Sequence, residues 1–268
     1  MTDRSLLSNP WMPTFPMNWS LPAGVRAVCT TRQGGVSVAP YDSLNLGDHV
    51  QDAPEAVQAN RALLQRHLGA RPVFLHQVHG VAVLRIDAHT HDASVADACW
   101  TNEAGVACTI MVADCLPLLF CDASGSVVGA AHAGWRGLAG QESQGVVEHT
   151  VQALCRAAAC DAAQLRVWLG PCIGPQAFEV GGEVRQAFAS GTAQALDAFR
   201  PHPVRAGKWL ADLAALARMR LRALGVTQLA GNDSSPAWCT VTRRSEFFSY
   251  RRDGVTGRMA VSIWRQAN

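Results

Sequence analysis

Charge of one sign is what this chain of 268 residues lacks most plainly. Its 23 lysines and arginines stand against 21 acids, for a net charge of +2. Nucleic acid and anionic membranes are held by a concentrated basic face, so this balance argues against both partners. Nor does any run approach the roughly 20 apolar residues of a membrane span. The N-terminal segment is broken by Pro10, Pro13, Pro16 and Pro22, has no continuous apolar stretch, and does not read as a signal peptide. Nine cysteines are an odd number without regular spacing, which argues against a disulfide framework. No repeat, low-complexity tract or Pro/Ser-rich linker divides the chain. These absences leave a reduced, cytoplasmic protein, read as one domain over 1–268 with residues 1–22 wrapping its surface.

What is present is apolar sequence, 49% of the residues, enough for a sizeable core. Val25–Thr31, Val73–Leu75, Val81–Ile86, Cys108–Ala113 and Leu165–Leu169 read as strands. Pro54–Leu68 reads as a helix with Pro54 in its first turn and Gly69 as its stop. Glu142–Ala159, Glu183–Ala189 and Leu210–Leu224 carry helical spacing. Phe247–Arg251 and Met259–Trp264 read as two final strands around the turn pair Asp253-Gly254. Strands and helices mix without a strict βαβ alternation, which predicts an α+β fold.

The most informative stretch is Ala113–Gly137. Leu118–Cys121 and Val127–Ala131 are strand-like, and Asp122–Ser126 is turn chemistry between them, so the stretch predicts a β-hairpin. Centring the turn at Ser124 opposes Leu116 to His132 and puts Cys115 one residue from that register. Opposed residues have Cβ atoms roughly 5 Å apart, so Cys115 and His132 are expected to meet at the hairpin's open end. Such a pair is a metal site, a nucleophile with its base, or a buried structural pair. Pro117 predicts an edge or bulge there. His79, just before Gly80, is a third member. Two His and one Cys leave zinc an open fourth position, the pattern of a catalytic site. His76 should point to the opposite face. Arg136 is either an anion fork beside the site or packed over Trp135. Asp114 either orients a ligand or caps a turn, and Glu179 is an acid/base or a solvated carboxylate.

Five motifs then stand in order: Gln77-Val78-His79-Gly80, Ala113-Asp114-Cys115-Leu116-Pro117, His132-Ala133-Gly134-Trp135-Arg136-Gly137, Gly170-Pro171 with Ile173-Gly174-Pro175, and Phe247-Phe248-Ser249-Tyr250-Arg251-Arg252-Asp253. With Thr31–Ser37 and Asn45-Leu46-Gly47, the chain resembles the YfiH-like family, also called the laccase-domain or polyphenol oxidase family, from about Val25 to Trp264. That resemblance implies a four-layer α/β/β/α sandwich with mixed sheets, similar to a bacterial toxin deamidase. It implies zinc on His79, Cys115 and His132, with copper the lesser alternative. The implied activities are purine nucleoside phosphorylase, on adenosine, inosine and methylthioadenosine, and adenosine deaminase. Purine nucleosides and phosphate are then the partners of a monomer or homodimer. Cys115, Arg136 and Asp114 are read as catalytic, and Arg32, Asn45 and Arg251 as substrate contacts. Two apparent insertions, Gly140–Gly145 and Asn232–Trp238, bear on substrate preference.

Three rivals remain at this level. Cys115 and His132 could serve a cysteine hydrolase or deamidase. A multicopper oxidase needs clustered histidines, and His89-Thr90-His91 is the one such pair in the chain. A non-catalytic role in cell-wall quality control would need no turnover.

Overall fold

Both faces of the central strands are apolar, and the fold follows from covering all of them. The computed structural model of the protein describes residues 12–189 and 193–267. Its first half holds β1 (Val25–Cys29), α1 (Pro54–Leu68), β2 (Arg71–Phe74), β3 (Val83–Arg85), β4 (Ala98–Thr101), β5 (Val106–Val112), β6 (Leu116–Asp122) and β7 (Val128–Ala133). There follow α2 (Trp135–Ala139), α3 (Val146–Ala158), β8 (Leu165–Leu169), β9 (Glu179–Val180), α4 (Gly182–Ala189), β10 (Phe199–Pro201) and β11 (Trp209–Ala211). The last elements are α5 (Leu213–Ala223), β12 (Gln228–Gly231), α6 (Tyr250–Asp253) and β13 (Met259–Arg265).

One sheet runs β1-β13-β5-β2 and a larger one β12-β8-β6-β7-β4-β3, with β10-β11-β9 as a small third. The pairs β2/β5, β3/β4 and β8/β12 are parallel and the rest antiparallel, so the sheets are mixed. Strand alternation sorts the side chains into three apolar layers. Cys108, Ile110 and Val112 of β5 meet Leu119, Cys121, Val128 and Trp168 between the two sheets. The other face of the larger sheet, with Leu116, Leu118, Phe120 and Val167, packs on Val147, Val151 and Leu154 of α3 and on Leu216 and Leu221 of α5. The outer face of the smaller one, with Ala107, Met111 and Trp264, packs on Leu64 and Leu68 of α1. Each fully buried Leu or Phe is worth about 1.5–3 kcal/mol. The architecture is the four-layer α/β/β/α sandwich. No helix among the described residues is long and apolar enough to cross a membrane.

Several expectations need correction. The hairpin is one residue out of the predicted register: Pro117, not Leu116, opposes His132. Asp122 causes the shift by closing a turn that spans to Val127, accepting from the Ser124 N–H at 3.0 Å and the Val127 N–H at 2.7 Å. Pro117 is not at an edge, since β6 lies between β7 and β8. It is tolerated because its missing N–H would face the Gly170 carbonyl, which accepts instead from Asn232 Nδ2 at 2.9 Å. Phe247–Arg251 is not a strand. Ser249 caps α6 instead, its hydroxyl accepting from the Arg252 N–H at 3.2 Å. Leu210 lies in β11, and α5 starts only after the N-cap Asp212. The helix expected from Glu142 starts at Val146, because Glu142 and Ser143 take the left-handed backbone of a tight loop. The N-terminal segment does more than wrap the surface. Met12 and Phe15 are buried, Phe15 against Trp238 and Phe247, while residues 1–11 lie outside the described part.

Candidate metal centre and its cavity

The open end of the β6–β7 hairpin carries the site. Cys115 precedes β6, His132 lies near the end of β7, and Asp114 turns the chain into β6 with a left-handed φ of 90°. Asp97, immediately before β4, is fully buried and binds both remaining parts together. Its Oδ1 accepts from His132 Nδ1 at 2.8 Å and from the His79 N–H at 2.9 Å. Its Oδ2 accepts from the Val78 N–H at 3.1 Å and the Gly80 N–H at 2.7 Å. Four donors thus compensate one buried charge. Burial alone would raise the Asp97 carboxyl, but the His132 and backbone N–H bonds outweigh it and hold it below its ordinary value. The loop is drawn in so far that His79 adopts a left-handed φ of 59°.

Spending Nδ1 on Asp97 leaves Nε2 of His132 to face the cavity. One donor atom each from His79, Cys115 and His132 lie within 4.8 Å of one another, and among the described residues this is the group so arranged. Cys115 Sγ is 3.7 Å from His79 Nε2. Burial would push the Cys115 thiol up, but the imidazoles of His132 and His79 prevail and bring it to about 6. Burial would likewise lower His132, but the Cys115 sulfur and the Asp97 carboxylate raise it to about 9. A soft thiolate with two imidazoles is a donor set that suits zinc or another borderline-soft ion. Gly134 makes room for it: a Cβ there would stand 2.7 Å from His79 Cδ2 and 3.1 Å from Cys115 Sγ.

A cavity of about 550 Å3 opens over the group. Met111, Trp135, Ile173, Phe178, Leu213 and Tyr250 give it apolar and aromatic walls, and Arg136, Arg251, Arg258 and His49 give it polar ones. Arg136 is exposed on α2, its guanidinium 4.4 Å from the Trp135 ring centroid. Arg251 sits above Phe178 and donates to the Glu179 carbonyl at 3.0 Å.

Of the other predicted residues, Asp114 lines the cavity and Arg32, Asn45 and Glu179 lie outside it. The Asp114 carboxylate has two partners from the protein. It accepts from Thr240 Oγ1 at 2.5 Å and the Arg251 N–H at 2.6 Å, tying α6 to β6. Arg32 lines a separate cleft, paired with Asp42 at 3.2 Å and lying over Phe248. Asn45 is fully buried and outside the cavity, with its amide spent on the Gly47 carbonyl and Asp52, and its oxygen on the Gly47 and Arg258 N–H groups. Glu179 pairs with Arg205 and His202. His76 lines a small neighbouring pocket rather than this one. Of the two apparent insertions, Gly140–Gly145 is a tight loop whose Ser143 carbonyl is held by Arg220, and Asn232 is buried against the Gly170 carbonyl. Sequence reasoning missed Asp97, His49 and Arg258. The available signal for Asp97 and Arg258 was a lone charge heading an apolar run, in Val95-Ala96-Asp97-Ala98-Cys99 and Gly257-Arg258-Met259-Ala260-Val261.

Residues 26–266 match the family described as multi-copper polyphenol oxidoreductase laccase. The chain belongs to this family. It is 52% identical over 258 residues to a Pseudomonas aeruginosa protein named purine nucleoside phosphorylase, covering 96% of this chain and 99% of the relative. It is 49% identical to the Escherichia coli purine nucleoside phosphorylase YfiH, covering 92% and 96%. A crystal structure of a Neisseria meningitidis family member superposes with a TM-score of 0.86 at 44% identity, covering 96% of this chain and all of that one. The family description names copper, and two imidazoles with a thiolate are a donor set that copper takes as well as zinc. His89 and His91 are exposed in a loop, away from the His79–Cys115–His132 group.

Proposed function

We propose that the protein is a zinc-dependent purine nucleoside phosphorylase acting on adenosine, inosine and methylthioadenosine, with adenosine deaminase activity. The observation that carries this reading is the meeting, in one cavity, of a His-Cys-His group, aromatic walls and arginines. Relatives at 52% and 49% identity bear the phosphorylase name. Trp135, Phe178 and Tyr250 offer the flat apolar surfaces on which a purine stacks. Arg136 and Arg251 at the rim offer donors to the ribose and to an incoming anion. His79, Cys115 and His132 would hold zinc, which as a Lewis acid polarises an oxygen of phosphate or water. Asp97 keeps the His132 tautomer fixed while this happens. In this reading all of 1–268 forms one cytoplasmic domain, a monomer or homodimer, and its nine free cysteines suit a reducing compartment.

A second reading has a specific observation behind it. Asp97, His132 and Cys115 form a line in the manner of an acid, a base and a thiol nucleophile, with the thiol lowered to about 6. That arrangement would serve a hydrolase or deamidase without metal. One assay separates the two. Purified protein is incubated with adenosine, with and without phosphate, and the products are identified. Adenine with ribose 1-phosphate, formed only when phosphate is present, supports phosphorolysis, and inosine in either condition supports deamination. Adenosine left intact in both would refute the proposed activity.

A further inference from the structure

Arg258 differs from the other arginines of the cavity. It heads β13 and is half-buried, and burial lowers its guanidinium from the ordinary value although Cys115 and Asp114 act the other way. A charge drawn partly out of water favours a partner, yet among the described residues no carboxylate pairs with it. Its Nη1 donates to the Thr256 carbonyl at 3.1 Å and the Gly257 carbonyl at 3.2 Å. No protein acceptor meets Nε or Nη2, and neither is sealed from solvent. By contrast, Arg136 is exposed and stacked on Trp135, and Arg251 is exposed and spends Nη1 on carbonyls.

The position of Arg258 is built rather than incidental. A Cβ on Gly47 would lie 2.7 Å from Arg258 Cγ and 3.4 Å from His49 Cε1, so the bare backbone of Gly47 seats both side chains. Asn45 Oδ1 accepts from the Gly47 and Arg258 N–H groups, each at 2.9 Å, and makes 45–49 and 258 one unit. His49 lines the same cavity, next to Asp48 at 3.5 Å. The free edge of a guanidinium presents two parallel N–H groups, the geometry that takes two oxygens of a phosphate.

We propose that Arg258, with His49 beside it, is the anion pole of the cavity and anchors the phosphate. The identity of the anion rests on the phosphorylase reading, whereas the need for an oxyanion rests on Arg258 itself. Calorimetric titration of the protein as purified with inorganic phosphate tests this, with metal content and melting temperature measured for every sample. Wild-type protein should bind phosphate. Arg258→Gln should weaken that binding by roughly ten- to a hundredfold, the loss of a charge-assisted paired contact. Arg85→Gln, at an exposed arginine of β3 outside the cavity, should leave it within about twofold. Arg258→Lys keeps the charge and stem and so reports if the glutamine variant does not fold; it should retain the melting temperature and still lose about tenfold, because it lacks the fork. No uptake by wild-type protein, or binding unchanged in a folded Arg258 variant, overturns the proposal. The two readings fail separately. Phosphate binding through Arg258 with no purine released from any nucleoside leaves the anion pole standing and removes the phosphorylase. Phosphorolysis whose KM for phosphate is the same in Arg258→Lys does the reverse.

Discussion

Replacing Asp97 by Asn changes one atom and inverts the polarity of half a carboxylate. In the native protein Oδ1 serves His132 Nδ1 and the His79 N–H, and Oδ2 serves the Val78 and Gly80 N–H groups. An asparagine amide nitrogen in either place faces two donors. Each buried N–H left unmet costs about 1–3 kcal/mol, so the pair costs about 2–6 kcal/mol. Set against a total stability of about 5–15 kcal/mol for a native protein, Asp97→Asn should still fold but unfold at clearly lower denaturant. The consequence for the site is sharper. With the amide nitrogen at Oδ1, His132 loses the acceptor that fixes its tautomer and ring, while with it at Oδ2 the 78–80 loop carrying His79 is released. Losing the partner of a liganding histidine costs about 10- to 100-fold in metal affinity. Competition with a chromogenic chelator measures that loss, and urea unfolding of the metal-free protein measures the first. An Asp97→Asn protein with unchanged metal affinity and an unfolding free energy within about 0.5 kcal/mol of wild type would show that the clamp is idle.

Cys115 should react slowly with iodoacetamide while an ion is bound and quickly after chelation, with the rate in metal-free protein rising through pH of about 6, where its thiolate forms; equal rates before and after chelation would instead make it a free nucleophile. Gly134→Ala forces a methyl to within 2.7 Å of His79 Cδ2 and 3.1 Å of Cys115 Sγ, so elemental analysis should find the metal largely lost while circular dichroism stays that of the wild type. Asp122→Asn removes a carboxylate that closes the hairpin by accepting from the Ser124 and Val127 N–H groups and should cost about 1–3 kcal/mol in urea unfolding. Burial would raise that carboxyl, but the hydrogen bonds from Ser124 and Val127 prevail and lower it. Its contribution is therefore complete above the unfolded value of about 4 and fades as pH falls through the lower folded value; the difference between wild type and Asp122→Asn should shrink in acid, and a difference that grows there refutes the assignment.

The elements legible in the sequence were those whose signal is local. Pro54–Leu68 has its proline start and its glycine stop, and Gly69 does adopt the left-handed cap at φ of 61°. Leu165–Leu169 is apolar at every position but Arg166 because both of its faces are covered. Short strands such as β9 to β12 have three or four residues or fewer and no period to read, so they went unpredicted. Phe247–Phe248 looks like a strand for the same reason that it is buried at the inter-sheet core, but the Ser249 cap decides the backbone that follows. The register slip at the hairpin has a similar origin: a count from the turn residues places the centre of a turn only to within a residue, and Asp122 chose the longer closure.

The candidate site divides along the same line. His79, Cys115 and His132 were found because each sits in a motif beside glycine or proline, where a chain bends to present a side chain. Asp97 carries no such mark and Arg258 has only Gly257 before it, and in sequence both are single charges at the heads of strands. What makes them functional candidates is a property visible only in three dimensions, the number of partners that each charge has. Asp97 has four donors on two oxygens, which is more than a capping residue needs and fits a clamp between two ligand-bearing segments. Arg258 has the opposite imbalance, one nitrogen occupied and, among the described residues, no carboxylate within pairing distance, which fits a residue completed by something that enters the cavity. Arg136 is legible because it follows His132 in the chain, and it lines the cavity from an exposed position over Trp135. A half-buried charge is held best when its field is answered at close range, and Arg258, met at contact distance only by the Thr256 and Gly257 carbonyls, keeps the rest of its guanidinium for what the cavity admits.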